Sequence, residues 1–287
     1  MFAIFKRELR SYFQTPIGFL FMGLFLLLTG IFFAFGNLFT GSSEYTGFLG
    51  NILFIFLFAV PLLTMRLFSE ERRQKTDQLL LTSPISIPAI VCGKFFAAMT
   101  VYCGTLLVTV AYAIIIAVYG DLQAWETFGS YIGFIFLGAS YISVGLFISA
   151  VTENQLTAAL LTFFALMFIW ILDPIARMVP SSTQAGLISA LVLLGLLVLF
   201  LFLSTRNWVI AAGAALLGLL VVWLFYSFNN NVFFGFIQNF IGWFSLNRRY
   251  ASFSMGLLRL DSLLYYLSFS GLFLFLTIRR IEKRRWN

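Results

Sequence analysis

Side chains able to do chemistry are scarce in this chain, and their types exclude most catalysis. There is no histidine and there are only two cysteines, Cys92 and Cys103. A histidine-ligated metal centre, a Ser-His-Asp triad and a Cys-His pair are therefore out of reach. Both cysteines lie in or beside an apolar run without a partner cluster, where a thiol packs as a small apolar group. The Gly93-Lys94 pair runs into Phe95 and lacks the upstream glycine of a phosphate loop, so ATP is not bound by that route. An intramembrane aspartyl protease needs two facing acids, but Asp173 and Asp261 fall at the expected outer ends of spans with no supporting motif. No catalytic, cofactor-binding or metal site is expected in this chain.

What remains is charge set beside apolar surface. The run Glu70-Glu71-Arg72-Arg73-Gln74-Lys75-Thr76-Asp77 is followed by Leu79-Leu80-Leu81, which is too short to cross a membrane. The pattern predicts a short helix that presents charge and an apolar ridge to a partner protein. Ser83-Pro84 and Ile87-Pro88 stop it, because a residue before proline is pushed out of the helical region. A solvated loop would account for Arg72, Arg73 and Lys75 but not for the leucines. Residues 2–14 place Phe2, Phe5, Leu9, Tyr12 and Phe13 on one face and Arg7, Arg10, Ser11 and Gln14 on the other, before Pro16 breaks the helix. Such a helix lies in a membrane interface, either as a docking elbow or as a topogenic anchor. Residues 233–244 repeat Phe233, Phe236, Ile237, Phe240, Ile241 and Phe244 at helical spacing, with Trp243 beside them. Asp173 and Arg177, four apart around Pro174, predict an ion pair on one helix face. Glu153-Asn154-Gln155 reads as a turn and cap, and Gly129-x-x-x-Gly133 permits close helix contact.

The elements that must position these residues are membrane spans. Of 287 residues, 61% are hydrophobic and 10% charged, and the mean hydropathy is +0.98, a balance no soluble domain carries. Eight nearly uncharged runs are long enough to span: 17–36, 48–68, 95–118, 128–150, 155–172, 187–204, 208–226 and 262–278. They are too long and uniformly apolar for barrel strands, so the fold class is all-α, a polytopic membrane helix bundle. The whole of 1–287 reads as one transmembrane domain. Residues 1–16 form an interfacial elbow, 69–94 a cytoplasmic segment, and 227–261 an extracytoplasmic amphipathic or re-entrant region. With the N-terminus inside, fourteen of the 18 Lys and Arg fall in inside segments and four (Arg177, Arg248, Arg249, Arg259) outside, which puts both termini in the cytoplasm. The net charge of +7 thus reads as orientation among membrane lipids rather than nucleic-acid binding. The 37 phenylalanines fit lipid-facing and bundle-packing roles.

The run Phe68-x-x-Glu71, four residues, Thr76-Asp77-Gln78-Leu79-Leu80-Leu81-Thr82-Ser83-Pro84-Ile85-Ser86, then Ile90-Val91-Cys92-Gly93-Lys94-Phe95, resembles the signature of ABC-2 type exporter permeases. At Lys75 that family often carries glycine. Phe253 to Ser268, the following span and Arg279-Arg280-Ile281-Glu282-Lys283-Arg284-Arg285-Trp286 are similar to the gliding-motility-associated branch, whose members usually have six spans. The pair at 187–226 is then an addition to a six-helix core. The resemblance implies a bacterial inner-membrane permease, a homodimer or a dimer with a related second permease. It also implies two copies of a separate ABC ATPase that binds ATP and Mg, and an extracytoplasmic auxiliary protein. Coupling to the ATPase would fall to Glu70, Glu71, Arg72, Arg73, Lys75, Thr76, Leu79, Leu80, Leu81 and Pro84, with Phe5, Arg7 and Arg10 on the elbow helix. Phe236, Phe240 and Trp243 would form either a substrate-exit gate or a surface-lying helix. A non-transporting anchor or mechanotransmitting subunit of an envelope machine would use the same segment.

Overall fold

The computed structural model describes residues 1–76, 85–228 and 233–285. It is helical without a strand among them. The elements are α1 (Phe2–Gln14), α2 (Pro16–Phe33) ending in a π-helical stretch (Ala34–Leu38), α3 (Tyr45–Asn51), a 3-10 turn (Ile52–Ile55), α4 (Phe56–Thr64), α5 (Ser69–Arg73), α6 (Ile87–Tyr119) and α7 (Ala124–Val151). There follow α8 (Gln155–Met178), α9 (Thr183–Thr205), α10 (Trp208–Phe228), α11 (Phe236–Phe244), α12 (Leu246–Ser254) and α13 (Leu260–Arg285). Among the described residues, eight segments are long and apolar enough to cross a membrane. They coincide with the eight runs read from the sequence, including the pair at 187–226.

The chain divides into two compact units, one of Met1–Phe168 with Leu246–Asn287 and one of Ile169–Ser245. In the first, α7 is the most enclosed span and packs against α4, α6, α12 and α13. Small residues permit this. A Cβ on Gly133 would lie 2.6 Å from that of Phe253 on α12, so the Gly129–Gly133 face is used within the chain. Buried tyrosines spend their hydroxyls across helices, as lipid offers no alternative partner. Tyr102 donates to the Phe134 carbonyl at 2.8 Å, Tyr141 to Asn247 Oδ1 at 2.9 Å and Tyr266 to the Leu246 carbonyl at 2.8 Å.

The second span, Tyr45–Arg73, is broken rather than straight. Pro61 within α4 removes one backbone donor, and the 3-10 turn precedes it. In the second unit, α9 and α10 form a hairpin closed by Arg206 in the left-handed conformation (φ 49°) and by Asn207 Oδ1, which accepts the Val209 N–H at 2.9 Å. Only Gly186 and Ser189 of α9 and Ala211 of α10 are buried. A hairpin that is apolar on every side suits lipid.

Candidate functional site

Thr15 adopts an extended conformation (φ −117°, ψ 154°), as the residue before Pro16 must, and this corner folds α1 back on the bundle. The face that α1 buries carries Ile4, Glu8 and Tyr12, at intervals of four. It lies along α6 at Gly93, where an added Cβ would come within 3.1 Å of Ile4. The next residue, Lys94, sits about 10 Å into α6 at 1.5 Å per residue and is 1% exposed.

Lys94 Nζ donates to the Leu67 carbonyl at 2.6 Å and lies 3.0 Å from both Glu8 Oε1 and Glu71 Oε1. Three acceptors use all three ammonium protons, and the Phe68 ring lies beneath at 5.0 Å. Arg7 Nη2 reaches the same two carboxylate oxygens, each at 2.6 Å. Two cations and two anions thus alternate, and no net charge is buried. Arg7 keeps half its side chain in solvent.

A second set of contacts fastens the same corner. Arg66 donates to Thr15 Oγ1 and Ser11 Oγ and stacks over the Tyr12 ring at 5.4 Å. Tyr12 donates to the Leu63 carbonyl at 2.6 Å. Burial pushes the Tyr12 phenol up, which keeps it a donor. On the other side, Ser149 Oγ of α7 accepts the N–H groups of Phe68 (3.0 Å) and Ser69 (3.2 Å) at the start of α5 and donates to the Met65 carbonyl at 3.1 Å. Arg72 Nη1 caps the last carbonyls of α7, those of Ala150, Val151 and Thr152, at 3.2, 2.7 and 3.2 Å, and Nη2 pairs with Glu153 at 2.8 Å. Asn154 Oδ1 caps α8 by accepting the Leu156 N–H at 2.8 Å.

The sequence-predicted coupling residues therefore divide. Glu71 and Arg72 turn inward and are engaged within the chain. Arg73, Lys75 and Thr76 are exposed, and Glu70 is half-buried beside Arg66 at 3.7 Å. Lys75 has φ 57°, the left-handed region in which glycine is free of strain. The Thr76 N–H returns to the Glu71 carbonyl and the Lys75 N–H to that of Arg72, at 3.0 and 3.1 Å. This helix stop, a Schellman turn, is the geometry that glycine serves and lysine here adopts at a cost of about 1 kcal/mol. Leu79, Leu80, Leu81 and Pro84 lie outside the described residues. On α1, Arg7 and Arg10 are exposed and Phe5 is half-buried, stacked on Phe2 at 6.1 Å. Glu8, Ser11, Thr15, Arg66, Lys94 and Ser149 escaped the sequence reading as members of one site.

In the second unit, Asp173 and Arg177 pair at 2.8 Å. Gln238 of α11 donates to the Val179 carbonyl at 2.6 Å. Phe240 stacks on Phe236 and meets Phe244 edge-on, and Trp243 is exposed. Phe236 also lines an apolar cavity of about 610 Å³ with α9 and α10. No group of three acidic or sulfur ligands that could hold a metal occurs among the described residues.

The Glu8 carboxyl connects this geometry to pH. Burial pushes it up, but Lys94 and Arg7 outweigh burial and hold it below the ordinary glutamate value of 4.5. A group whose folded pKa is depressed contributes stability that is fully present above the unfolded value and is lost as pH falls through the folded one. Thermal unfolding of the purified protein between pH 7 and pH 3 should show a midpoint that drops below about pH 4.5. In Glu8→Gln that part of the drop should be absent. Parallel curves for the two proteins would exclude Glu8 as a contributor.

The fold is an all-helical polytopic bundle, and at one end α1, α5 and α6 gather around an ion cluster. The model for the ABC-2 family transporter protein matches residues 45–242, more than half of the chain, and the chain belongs to that family. It is a multi-pass permease component of an ABC transporter, from a family whose members generally pair with an ABC ATPase. A search of curated proteins finds no match.

Proposed function

We propose that this chain is the membrane subunit of an exporter-type complex in a bacterial inner membrane. It works as a dimer with two copies of a separate ATPase that binds ATP and Mg. Both termini and α5 face the cytoplasm. The observation that carries this reading is the cluster of Arg7, Glu8, Glu71 and the buried Lys94, which ties the elbow helix, the loop helix and the third span into one joint. Closure of the ATPases would press on α5 and the residues after it, and the joint would pass that load to the spans. Glu71 and Arg72 hold the joint, while Glu70, Arg73, Lys75 and Thr76 meet the partner and Leu79–Leu81 form the ridge it buries. The C-terminal run from Phe253 supports membership of the gliding-motility-associated branch. The cavity beside Phe236 supports α11, with Phe240 and Trp243, as an exit gate.

Affinity capture of the tagged chain from native membranes in mild detergent, with mass spectrometry of what stays bound, tests the coupling. A nucleotide-binding ATPase should be recovered with the wild type. Its recovery should fall about tenfold with Arg73→Glu/Lys75→Glu, which reverses two exposed charges and leaves the buried cluster intact. Repeated recovery without any ATPase would overturn the coupling reading.

A further inference from the structure

At the end of the first span opposite the elbow helix, α2 does not stop cleanly but widens into the π-helical stretch Ala34–Leu38. Such widenings are rare and occur frequently at functional sites. The distortion buries Asn37, 5% exposed, whose amide donates to the Ser42 carbonyl at 3.0 Å and the Glu44 carbonyl at 3.2 Å. One buried side chain thus fixes the backbone that carries Glu44. The loop and the start of α3 enclose a pocket of about 340 Å³ lined by Phe32, Phe35, Phe48, Asn37, Glu44 and Asn51. That volume lies within the range of small-molecule sites.

The lining combines three aromatic rings with one carboxylate. Glu44 makes no capping hydrogen bond to α3, and among the described residues no cation pairs with it. Its Oε1 lies over Gly47, where an added Cβ would stand 3.4 Å away. Glu44 is exposed at the rim of the pocket, so its carboxylate is open to a ligand from outside. A carboxylate beside phenylalanine faces is the chemistry that recognises an ammonium group. Phe32 and Phe35 continue the apolar surface of the first span, whereas Asn37 lies at its end and Glu44 precedes the second, so the site straddles the boundary an amphiphile occupies.

We propose that this pocket binds an ammonium group, with Glu44 as counter-charge and Phe32, Phe35 and Phe48 as the aromatic wall. The ammonium belongs either to a zwitterionic lipid headgroup or to a free amine, and the two sources are separable. The site lies at the far end of the first span from the ion cluster, so its test is independent of the ATPase reading.

Purified full-length protein in maltoside micelles would be followed by tryptophan fluorescence during heating. The probes are ethanolamine, tetramethylammonium, lysophosphatidylethanolamine and, as anionic control, lysophosphatidylglycerol. The unfolding midpoint should rise saturably with an ammonium probe and not with the control. A rise with lysophosphatidylethanolamine alone identifies a lipid site, and a rise with the soluble amines as well identifies a free-amine site. Glu44→Gln, an exposed and unpaired position, should keep the ligand-free midpoint and weaken the response about tenfold. Phe35→Leu, exposed on the same wall, should weaken it several-fold and serves as the deciding variant if Glu44→Gln folds poorly. Equal responses of wild type and variants, an equal rise with lysophosphatidylglycerol, or no rise with any ammonium probe would overturn the proposal.

Discussion

Replacing Lys94 by methionine is expected to cost about 3–5 kcal/mol of stability, the scale on which removing one partner of a buried ion pair destabilises a fold. The substitution keeps an unbranched apolar stem one atom shorter but removes the cation that Glu8, Glu71 and the Leu67 carbonyl share. Arg7 alone would then face two carboxylates while half in solvent. The triple variant Lys94→Met/Glu8→Gln/Glu71→Gln removes the stranded charges together with the cation and should recover most of the loss. Lys94→Arg should recover little, because a planar guanidinium cannot point three protons at acceptors arranged around an ammonium. Unfolding in detergent, by denaturant or heat, measures all three. A Lys94→Met protein as stable as wild type would mean that the cluster is not what fastens α1 to the bundle.

The second large effect is expected at Gly145 in the C-terminal third of α7. A Cβ there would stand 2.2 Å from Thr64 Oγ1 and 2.8 Å from Thr64 Cβ at the end of α4. Thr64 is itself held by a 2.9 Å bond to the Val60 carbonyl and is fully buried, so it has nowhere to swing. Gly145→Ala should cost about 2–3 kcal/mol through overpacking. The reciprocal swap Gly145→Ala/Thr64→Gly moves the missing Cβ to the other helix and should restore much of the stability. Independent, additive losses in the double variant would show that the two positions do not touch.

The spans were legible because lipid makes an all-or-none demand: about 20 apolar residues in succession leave their mark without any knowledge of tertiary contacts. The pair at 187–226 follows from that same local logic, whereas the short helix, expected to stop at Ser83-Pro84, ends at Arg73 in a turn through Lys75. The ion cluster was not legible. Glu8 and Lys94 are 86 positions apart, and in the sequence each is accounted for by something nearer. Lys94 counts as one more inside charge, and Glu8 is hidden in an amphipathic pattern whose buried face, Ile4, Glu8 and Tyr12, differs from the aromatic one that catches the eye. Arg72 likewise reads as a contact for a partner protein until the end of α7 is brought beneath it. Lys75 is the reverse case. The resemblance marked Lys75 as a departure from glycine that put the local turn in question, and the structure shows that the turn forms with lysine in the left-handed conformation.

The cluster also sets a schedule. Chains are made from the N-terminus at roughly 5–20 residues per second, so the 86 positions between Glu8 and Lys94 correspond to a delay on the order of 4–17 s. Glu71 and Arg7 are made before Lys94, whereas the surface on which α1 finally rests, around Gly93, arrives with it. During that interval α1 can already meet Leu63, Arg66 and Glu71, but Glu8 has no lysine to pair with and the surface around Gly93 is missing. Final seating of α1 against α6 is thus an event of the third span's synthesis, and a ribosome paused before Lys94 should hold a nascent chain whose face at Ile4 and Glu8 remains open to labelling from water.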